Sequence, residues 1–211
     1  MTDLESAMEH DDASGEPAAV DGRRLRRERN VAAVIDAVLG MFEDESLTPT
    51  IEGAAERSGL SLRSVYRYFP DPESLTQAAI DEMWRRGQAA AHLSSIGEGP
   101  LEQRVVEFAE MRVRLYERVG SGYRAGQLHA PRSVSIRDEL ERTRRTLSDQ
   151  FGLQVGPEGE ALPPRLRTAR RTTADLMSQF EVIDLLRRAR RLTVQETIDV
   201  IADAITTALN P

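Results

Sequence analysis

The stretch that decides the fold runs from Thr50 to Phe69 and reads TIEGAAERSGLSLRSVYRYF. Its pattern predicts two short helices joined by a tight turn. Thr50 can cap the first helix, and Gly59 can end it, because glycine adopts the left-handed backbone conformation at little cost. Ser61 can then cap the second helix. Residues at helical spacing should hold the pair against a core, and they are Ile51, Ala54, Ala55, Ser58, Val65 and Phe69.

The second of these helices leaves a largely polar face outside the core. The residues on that face are Leu62, Arg63, Ser64, Arg67 and Tyr68. An exposed helix that offers Arg, Ser and Tyr is typical of a helix-turn-helix that reads the major groove of DNA. We therefore expect double-stranded DNA as a partner.

The composition of the 211-residue chain allows one large domain or two small ones and removes several function classes. There is no cysteine, so disulfides and thiolate chemistry are excluded. No run approaches the roughly 18–20 apolar residues of a membrane span, and the start lacks the features of a secretory signal. We expect a cytoplasmic protein without a membrane partner.

The net charge of −7 argues against nucleic acid until its distribution is considered. Residues 1–21 hold seven acidic residues and no Arg or Lys, so this segment alone accounts for the net charge. We interpret it as a disordered acidic tail. Residues 22–34 carry five Arg and one Glu. This basic patch favours phosphate contact by Arg26 and Arg27, although plain surface charge is the alternative.

Apolar periodicity predicts an all-α fold with about nine helices, since no segment alternates as a strand would. The first helix should span about 23–42, and Asp71 should cap a helix that ends near Ala91. Glycines 120, 122 and 126 should break the chain around a short helix at 123–128. The segment Gly152–Pro164 should be a linker. Two long helices should close the chain at about 165–191 and 193–210, the second opened by a capping box at Thr193 and Glu196.

These features together resemble the TetR family of bacterial transcriptional regulators. The resemblance lies in the apolar run of helix 1, in AAERSGLSLRSVYRYF, and in FPDPESL leading into helix 4. It covers about Arg24 to Leu75. It implies a DNA-binding domain at 22–71, an effector-binding and dimerisation domain at 72–211, and a homodimeric repressor that a small-molecule effector releases from its operator.

By position within this resemblance, Ser61 through Tyr68 would form the recognition helix. Tyr66, Ser64 and Thr50 would contact phosphates, whereas Arg63, Arg67 and Tyr68 would contact base edges or adjacent phosphates. The full set of expected DNA contacts is Arg26, Arg27, Thr50, Ser61, Leu62, Arg63, Ser64, Tyr66, Arg67 and Tyr68. Two positions depart from the family pattern. Pro72 replaces a common lysine at the start of helix 4, and Arg63 replaces a common glycine, which favours G in the operator.

The last two helices offer two interpretations. Their apolar stripes could complete the core of one protomer, or they could form a four-helix interface with a second copy. We favour the homodimer, in which two recognition helices about 34–36 Å apart would read a palindrome.

An effector pocket is predicted among large or soft side chains between the DNA-binding unit and the dimer face. The candidates are Trp84, Gln88, Phe108, Met111, Tyr116, Tyr123, Met177 and Phe180, with Gln127 and Gln179 as further polar groups. Ordinary core packing is the alternative for most of them, because large apolar residues at helical spacing are usually buried.

Catalysis, a cofactor and a metal site are not expected. The three histidines are scattered, no serine lies in a G-x-S-x-G motif, and no glycine-rich phosphate loop is present. The main alternative is a helical carrier of hydrophobic ligands whose helix-turn-helix is structural. A helical enzyme such as an isoprenoid synthase is a weaker alternative, because the aspartate-rich metal motif is missing.

Overall fold

The computed structural model describes residues 17–44, 48–93 and 96–210, and these residues form helices joined by short connections. The predicted all-α fold is confirmed. In the described ranges no helix is long and apolar enough to cross a membrane. The nine α-helices are α1 (Pro17–Glu43), α2 (Ile51–Ser58), α3 (Leu62–Tyr68), α4 (Pro72–Gly87), α5 (Leu101–His129), α6 (Val134–Ala161), α7 (Pro164–Met177), α8 (Phe180–Asp184) and α9 (Val194–Leu209).

The first helix is longer than its apolar pattern predicts. It begins at Pro17, inside the segment predicted to be an acidic tail. The rest of that segment, residues 1–16, lies outside the described residues. The apolar positions 34, 38 and 42 are buried, whereas the arginine-bearing part before Asn30 is exposed.

The helix-turn-helix forms with the caps that its sequence predicts. The Gly53 N–H donates to Thr50 Oγ1 at 3.0 Å, and Gly59 ends α2 with φ of 69°. The Ser64 N–H donates to Ser61 Oγ at 3.3 Å at the start of α3. Of the six residues expected to hold the pair against the core, Ser58 is only partly buried. The other five are buried as expected, and they are Ile51, Ala54, Ala55, Val65 and Phe69.

Helix α5 is the centre of the fold and packs against α1, α4, α6, α8 and α9. The predicted break near its glycines is wrong, because α5 continues from Leu101 to His129. Gly122 serves close packing instead. A Cβ atom there would lie 2.1 Å from the sulfur of Met83 on α4, and one at Gly87 would lie 2.5 Å from Val119 of α5. The missing side chains let α4 and α5 cross closely.

The predicted linker at Gly152–Pro164 is also wrong, since α6 runs through it to Ala161 with Pro157 inside the helix. A buried arginine of α5 stabilises this end of α6. Arg104 donates to the backbone carbonyl of Gln154, to Glu158 and, at 2.9 Å, to the Gly99 carbonyl. These tertiary bonds offset the weak helix propensity of the glycines and proline.

The helix predicted at 165–191 is interrupted. Helix α7 ends at Met177, and Gln179 is extended with ψ of 151° before α8 begins. The Gln179 side chain donates to Asp175 at 2.9 Å and to Ser148 at 3.1 Å, which holds the break against α6. A π-helical turn at Leu185–Ala189 follows α8.

Helix α9 begins with the predicted capping box at Thr193 and Glu196. Its apolar stripe packs within the protomer, mainly on α5 and α7, and Ile201 and Ile205 are fully buried. The stripe therefore completes the core of one chain, which is the first of the two interpretations that the sequence allows. Large apolar side chains that stay exposed on this part of the chain are Leu176, Leu185, Val194 and Val200.

Replacing Gly122 by alanine should destabilise the protein, because the new methyl group overlaps buried Met83. We expect a loss of about 1–2 kcal/mol in the free energy of unfolding, the overlap outweighing alanine's better helix propensity. Gly152→Ala is the matched control. A Cβ at that position meets nothing within 4 Å, so it should stabilise by about 0.5–1 kcal/mol. Urea unfolding measures both, and equal effects would contradict the close crossing.

Candidate nucleic-acid interface and ligand cleft

Helix α3 presents the outer face that its sequence predicts. Arg63 and Arg67 are exposed, and Tyr66 and Leu62 keep 46% and 42% of their surface accessible. Only Val65 within the helix is buried. We call the four exposed side chains Leu62, Arg63, Tyr66 and Arg67 the α3 face. Two guanidinium groups and one phenol on a short exposed helix can reach base edges and phosphates.

The capping hydroxyl groups flank this face. The oxygens of Thr50 and Ser61 accept backbone N–H groups at the starts of α2 and α3. Ser64 lies 2.9 Å from Ser61 through their hydroxyl oxygens. A hydroxyl that accepts a backbone bond still carries its own hydrogen, so Thr50 can donate to a phosphate without losing its cap.

Tyr68 is placed differently from the α3 face, because it is half-buried and ties α3 to α1. Its hydroxyl oxygen accepts from Asn30 of α1 at 3.1 Å and from Arg67 at 2.9 Å. The hydrogen bond from Asn30, followed by that from Arg67, lowers the pKa of the Tyr68 phenol, and the charge of Arg27 acts in the same direction. Because both donors use the oxygen as an acceptor, the phenolic hydrogen of Tyr68 remains available for donation.

Asn30 was missed by the sequence analysis, which weighed only the arginines of α1. The structure brings Arg27 and Asn30 to the end of α3, so part of the basic patch adjoins the α3 face. Arg26 is exposed on the same helix. Pro72 occupies the first turn of α4 after the Asp71 cap, and it offers no N–H and no cation to a phosphate.

An ionic cluster joins α1 to α4 below this surface. Arg86 of α4 donates to Asp36 of α1 at 2.5 Å and to Glu82 at 2.7 Å. Arg85 donates to Glu82 at 2.6 Å. The hydrogen bond from Arg85 is the largest cause that lowers the pKa of Glu82 to about 2, and Arg86 adds to it against the opposing effect of burial. We call Asp36, Arg86 and Glu82 the α1–α4 clamp.

Four of the predicted effector residues form one aromatic cluster around buried Phe180. Trp84 stacks on Phe180 at 5.9 Å between ring centroids, and the rings of Tyr116 and Tyr123 meet it edge-on at 5.7 and 5.3 Å. Burial raises the pKa of both tyrosines. Their hydroxyl groups donate to Asp184 and Glu181, so the cluster fastens α5 to α8.

The remaining effector candidates are dispersed. Phe108 and Met111 are buried in the core, Met177 packs against it, and Gln127 is exposed. The amide N–H groups of Gln179 donate to Ser148 and Asp175 at the break after α7.

A cleft of about 320 Å³ lies between the end of α4, the middle of α5 and the middle of α6. Of the predicted residues, Trp84 and Gln88 line it. The indole N–H of Trp84 is buried and has no hydrogen-bond partner within the described part of the chain. The other lining residues are Gly87, Ala91, Leu115, Glu139, Arg142, Thr143, Thr146, Leu147 and Gln150.

A second group missed from the sequence is Arg112, which is fully buried behind this cleft. It lies at helical spacing with Phe108 and Leu115, on the stripe that the apolar pattern assigns to the core. A cation on such a stripe is the signal that could have identified it.

No group of three or more His, Asp or Glu side chains that could hold a metal ion occurs in residues 17–44, 48–93 and 96–210.

The fold is similar to a solved structure. The crystal structure of a transcriptional regulator from Rhodococcus sp. Rha1 matches with a TM-score of 0.62 and 14% sequence identity, over 87% of this chain and 95% of that one. No family model matches the chain, and no curated protein matches it in sequence. At this identity the similarity concerns the fold.

Replacing Glu82 by glutamine should weaken the pH dependence of stability in acid. The pKa of Glu82 is lowered from 4.5 to about 2, so its contribution to folding is complete above pH 4.5 and disappears as pH falls through about 2. The wild-type free energy of unfolding should therefore fall more steeply below pH 4.5 than that of Glu82→Gln. Urea unfolding at a series of pH values measures the slopes, with exposed Glu73→Gln as the control. Parallel curves for wild type and Glu82→Gln would contradict the clamp.

Proposed function

We propose that this protein is a DNA-binding transcriptional regulator. The observation that carries the proposal is the α3 face, where Arg63, Tyr66 and Arg67 are exposed on a helix that packs on α2 and is tied to α1 by a hydrogen bond. Arg27 and Asn30 adjoin it through Tyr68. Such a surface supplies both base-reading and phosphate-binding groups. The solved structure of similar fold is also a transcriptional regulator, which supports the same function.

The sequence signature assigns the protein to the TetR family within this proposal, with a DNA-binding domain at 22–71 and an effector-binding and dimerisation domain at 72–211. It acts in the cytoplasm as a repressor of a palindromic operator. The G-L-S turn, the Asp71 cap and the long helices that follow all support this assignment. Arg63 on the α3 face favours an operator with G at the contacted position.

The regulator works as a homodimer through its last helices. The apolar stripe of α9 is buried within the protomer, so other residues must contact the second copy. These are the exposed apolar residues Leu176, Leu185, Val194 and Val200. A dimer presents two α3 faces to successive turns of the duplex.

A small-molecule effector releases the operator by changing the position of α4. Trp84, Gly87 and Gln88 line the cleft, while Arg86 and Glu82, in the same last turns of α4, hold α1. A ligand that fits the cleft better in one position of α4 shifts the spacing of the two α3 faces, in proportion to its differential affinity for the two positions.

The alternative function is a helical carrier of hydrophobic ligands, and the cleft is the observation in its favour. A carrier keeps its ligand affinity when the α3 face is altered and has no operator to lose. The proposal assigns the protein no enzymatic activity and no cofactor.

Selection from a random DNA pool should return a palindromic site, and Arg63→Ala should weaken binding to it. We expect a loss of about 1–3 kcal/mol with relaxed preference at one base position, because Arg63 reads a base edge. Arg26→Ala should instead weaken all sequences alike and reduce the salt dependence by about one phosphate contact. Mobility shifts at several salt concentrations measure both. Arg145→Ala, at an exposed position on α6, is the control. If the selection enriches no DNA site, the result contradicts the regulator.

The double variant Leu185→Glu/Val200→Glu should convert the dimer to a monomer and weaken binding to the palindrome. Charged groups at these exposed apolar positions would repel their copies across a two-fold interface. Sedimentation equilibrium measures the mass, and Leu153→Glu, at a position that is 64% exposed on α6, is the matched control. A wild type that sediments as a monomer, or a double variant that stays dimeric, would contradict this interface.

A further inference from the structure

Arg112 is a buried cation that forms no direct ion pair with the acidic side chain whose charge acts on it, Asp175. The residue is 0% exposed, and among the described residues its guanidinium group donates to neutral oxygens. Its one nearby acidic neighbour, Asp175, is engaged by Ser148 at 2.8 Å and by Gln179 at 2.9 Å. A buried charge that is not directly paired is costly, so the position of Arg112 calls for an explanation beyond packing.

The hydrogen bonds of Arg112 leave it incompletely satisfied. One N–H donates to the Leu147 carbonyl at 2.9 Å, a second reaches the Gln150 amide oxygen at 3.3 Å, and the Nε–H has no partner. The group also lies over the ring of Phe108 at 4.6 Å. Burial lowers the pKa of Arg112 to about 9, which still leaves it a cation at neutral pH.

Arg112 does not itself line the cleft, but it contacts two residues that do. Leu147 and Gln150, the two residues that accept from Arg112, both line the cleft. Trp84 lines the same space and has its indole N–H without a partner. Two buried donors without partners among the described residues are therefore found at or next to one cleft. Leu115 and Ala91 give this cleft an apolar part, and charged and polar side chains such as Glu139 and Arg142 complete its lining.

We propose that this cleft binds a small apolar monocarboxylate, whose carboxylate group displaces the Gln150 amide oxygen and pairs with Arg112. A single buried cation matches a single negative charge, and the apolar wall matches a hydrocarbon body. The volume of about 320 Å³ lies at the small end of ligand pockets. The step from this ligand to effector rests on the proposed function, whereas the binding does not.

Arg142 is the competing source of positive charge, and the structure favours Arg112 over it. Arg142 is exposed at the rim and already pairs with Glu139. An exposed, paired cation gains little from a ligand because water screens it, whereas an anion that reaches Arg112 relieves a desolvated charge.

The test is the affinity of matched acids and amides for the full chain. Benzoate, 4-phenylbutyrate and decanoate, each beside its neutral amide, are titrated by calorimetry. Trp84, the only tryptophan, provides a second signal through its fluorescence. At least one acid should bind about tenfold tighter than its amide, as a charge-assisted bond requires. Equal affinities, or no binding by any acid, would overturn the inference.

Three variants test whether Arg112 is the cation that makes acids bind more tightly than their amides. Gln150→Glu places a carboxylate of the chain itself on Arg112, so it should raise the thermal midpoint and remove the preference for acids. Arg112→Met should remove the preference, with folding checked by circular dichroism. Arg142→Met should keep it. Acid preference that survives in Gln150→Glu, or that is lost in Arg142→Met, overturns the assignment to Arg112.

Mobility shifts on the selected DNA site separate this inference from the proposed function. If the acids bind more tightly than their amides but the protein does not bind DNA, the result supports the ligand site and contradicts the regulator. DNA binding without acid preference supports the regulator and contradicts the ligand site. Acid that binds and weakens the DNA complex supports both.

Discussion

The close crossing of α4 and α5 is the constraint on which the rest of the structure depends. Met83 and Gly87 of α4 meet Gly122 and Val119 of α5 so closely that a single added carbon would overlap. This contact fixes α4 on the central helix. One side of α4 then carries the clamp to α1 through Arg86, and the other side lines the cleft. Both candidate sites therefore take their positions from one glycine-dependent contact.

The two buried arginines of α5 show how burial separates a structural cation from one with a further role. Arg104 has a carboxylate, Glu158, and two carbonyl partners, so its charge is satisfied where it holds the end of α6. Arg112 is buried more completely but has one ordinary hydrogen bond at 2.9 Å, one long bond at 3.3 Å and a Nε–H without a partner among the described residues. Leaving a buried charge without a direct partner is costly, and this contrast with Arg104 is what the proposed ligand would remove.

Local signals predicted most of the helix-turn-helix, whereas tertiary contacts decided the rest of the fold. The helix caps and the left-handed backbone conformation of Gly59 depend on residues only a few positions away, so they can be predicted from the sequence. Gly122 and Pro157 carry the same local signals, yet partners far along the chain keep both in helices. The cleft and the Asn30 contact to Tyr68 join distant segments, so only the fold could reveal them. Arg112 could have been identified from the sequence, because it is a cation on an otherwise apolar helical stripe.

The strengths of these contacts suggest where the proposed regulator moves. Helix α3 packs on α2 and is tied to α1 by the Asn30–Tyr68 bond, so its orientation follows both helices. Helix α1 follows α4 through the partly exposed Arg86–Asp36 pair, and such pairs contribute only about 0–1 kcal/mol. The α4–α5 crossing is tightly packed and resists change. A ligand beside Trp84 would therefore change the position of the last turns of α4 about this fixed crossing, and the clamp would pass the change on to α1 and α3.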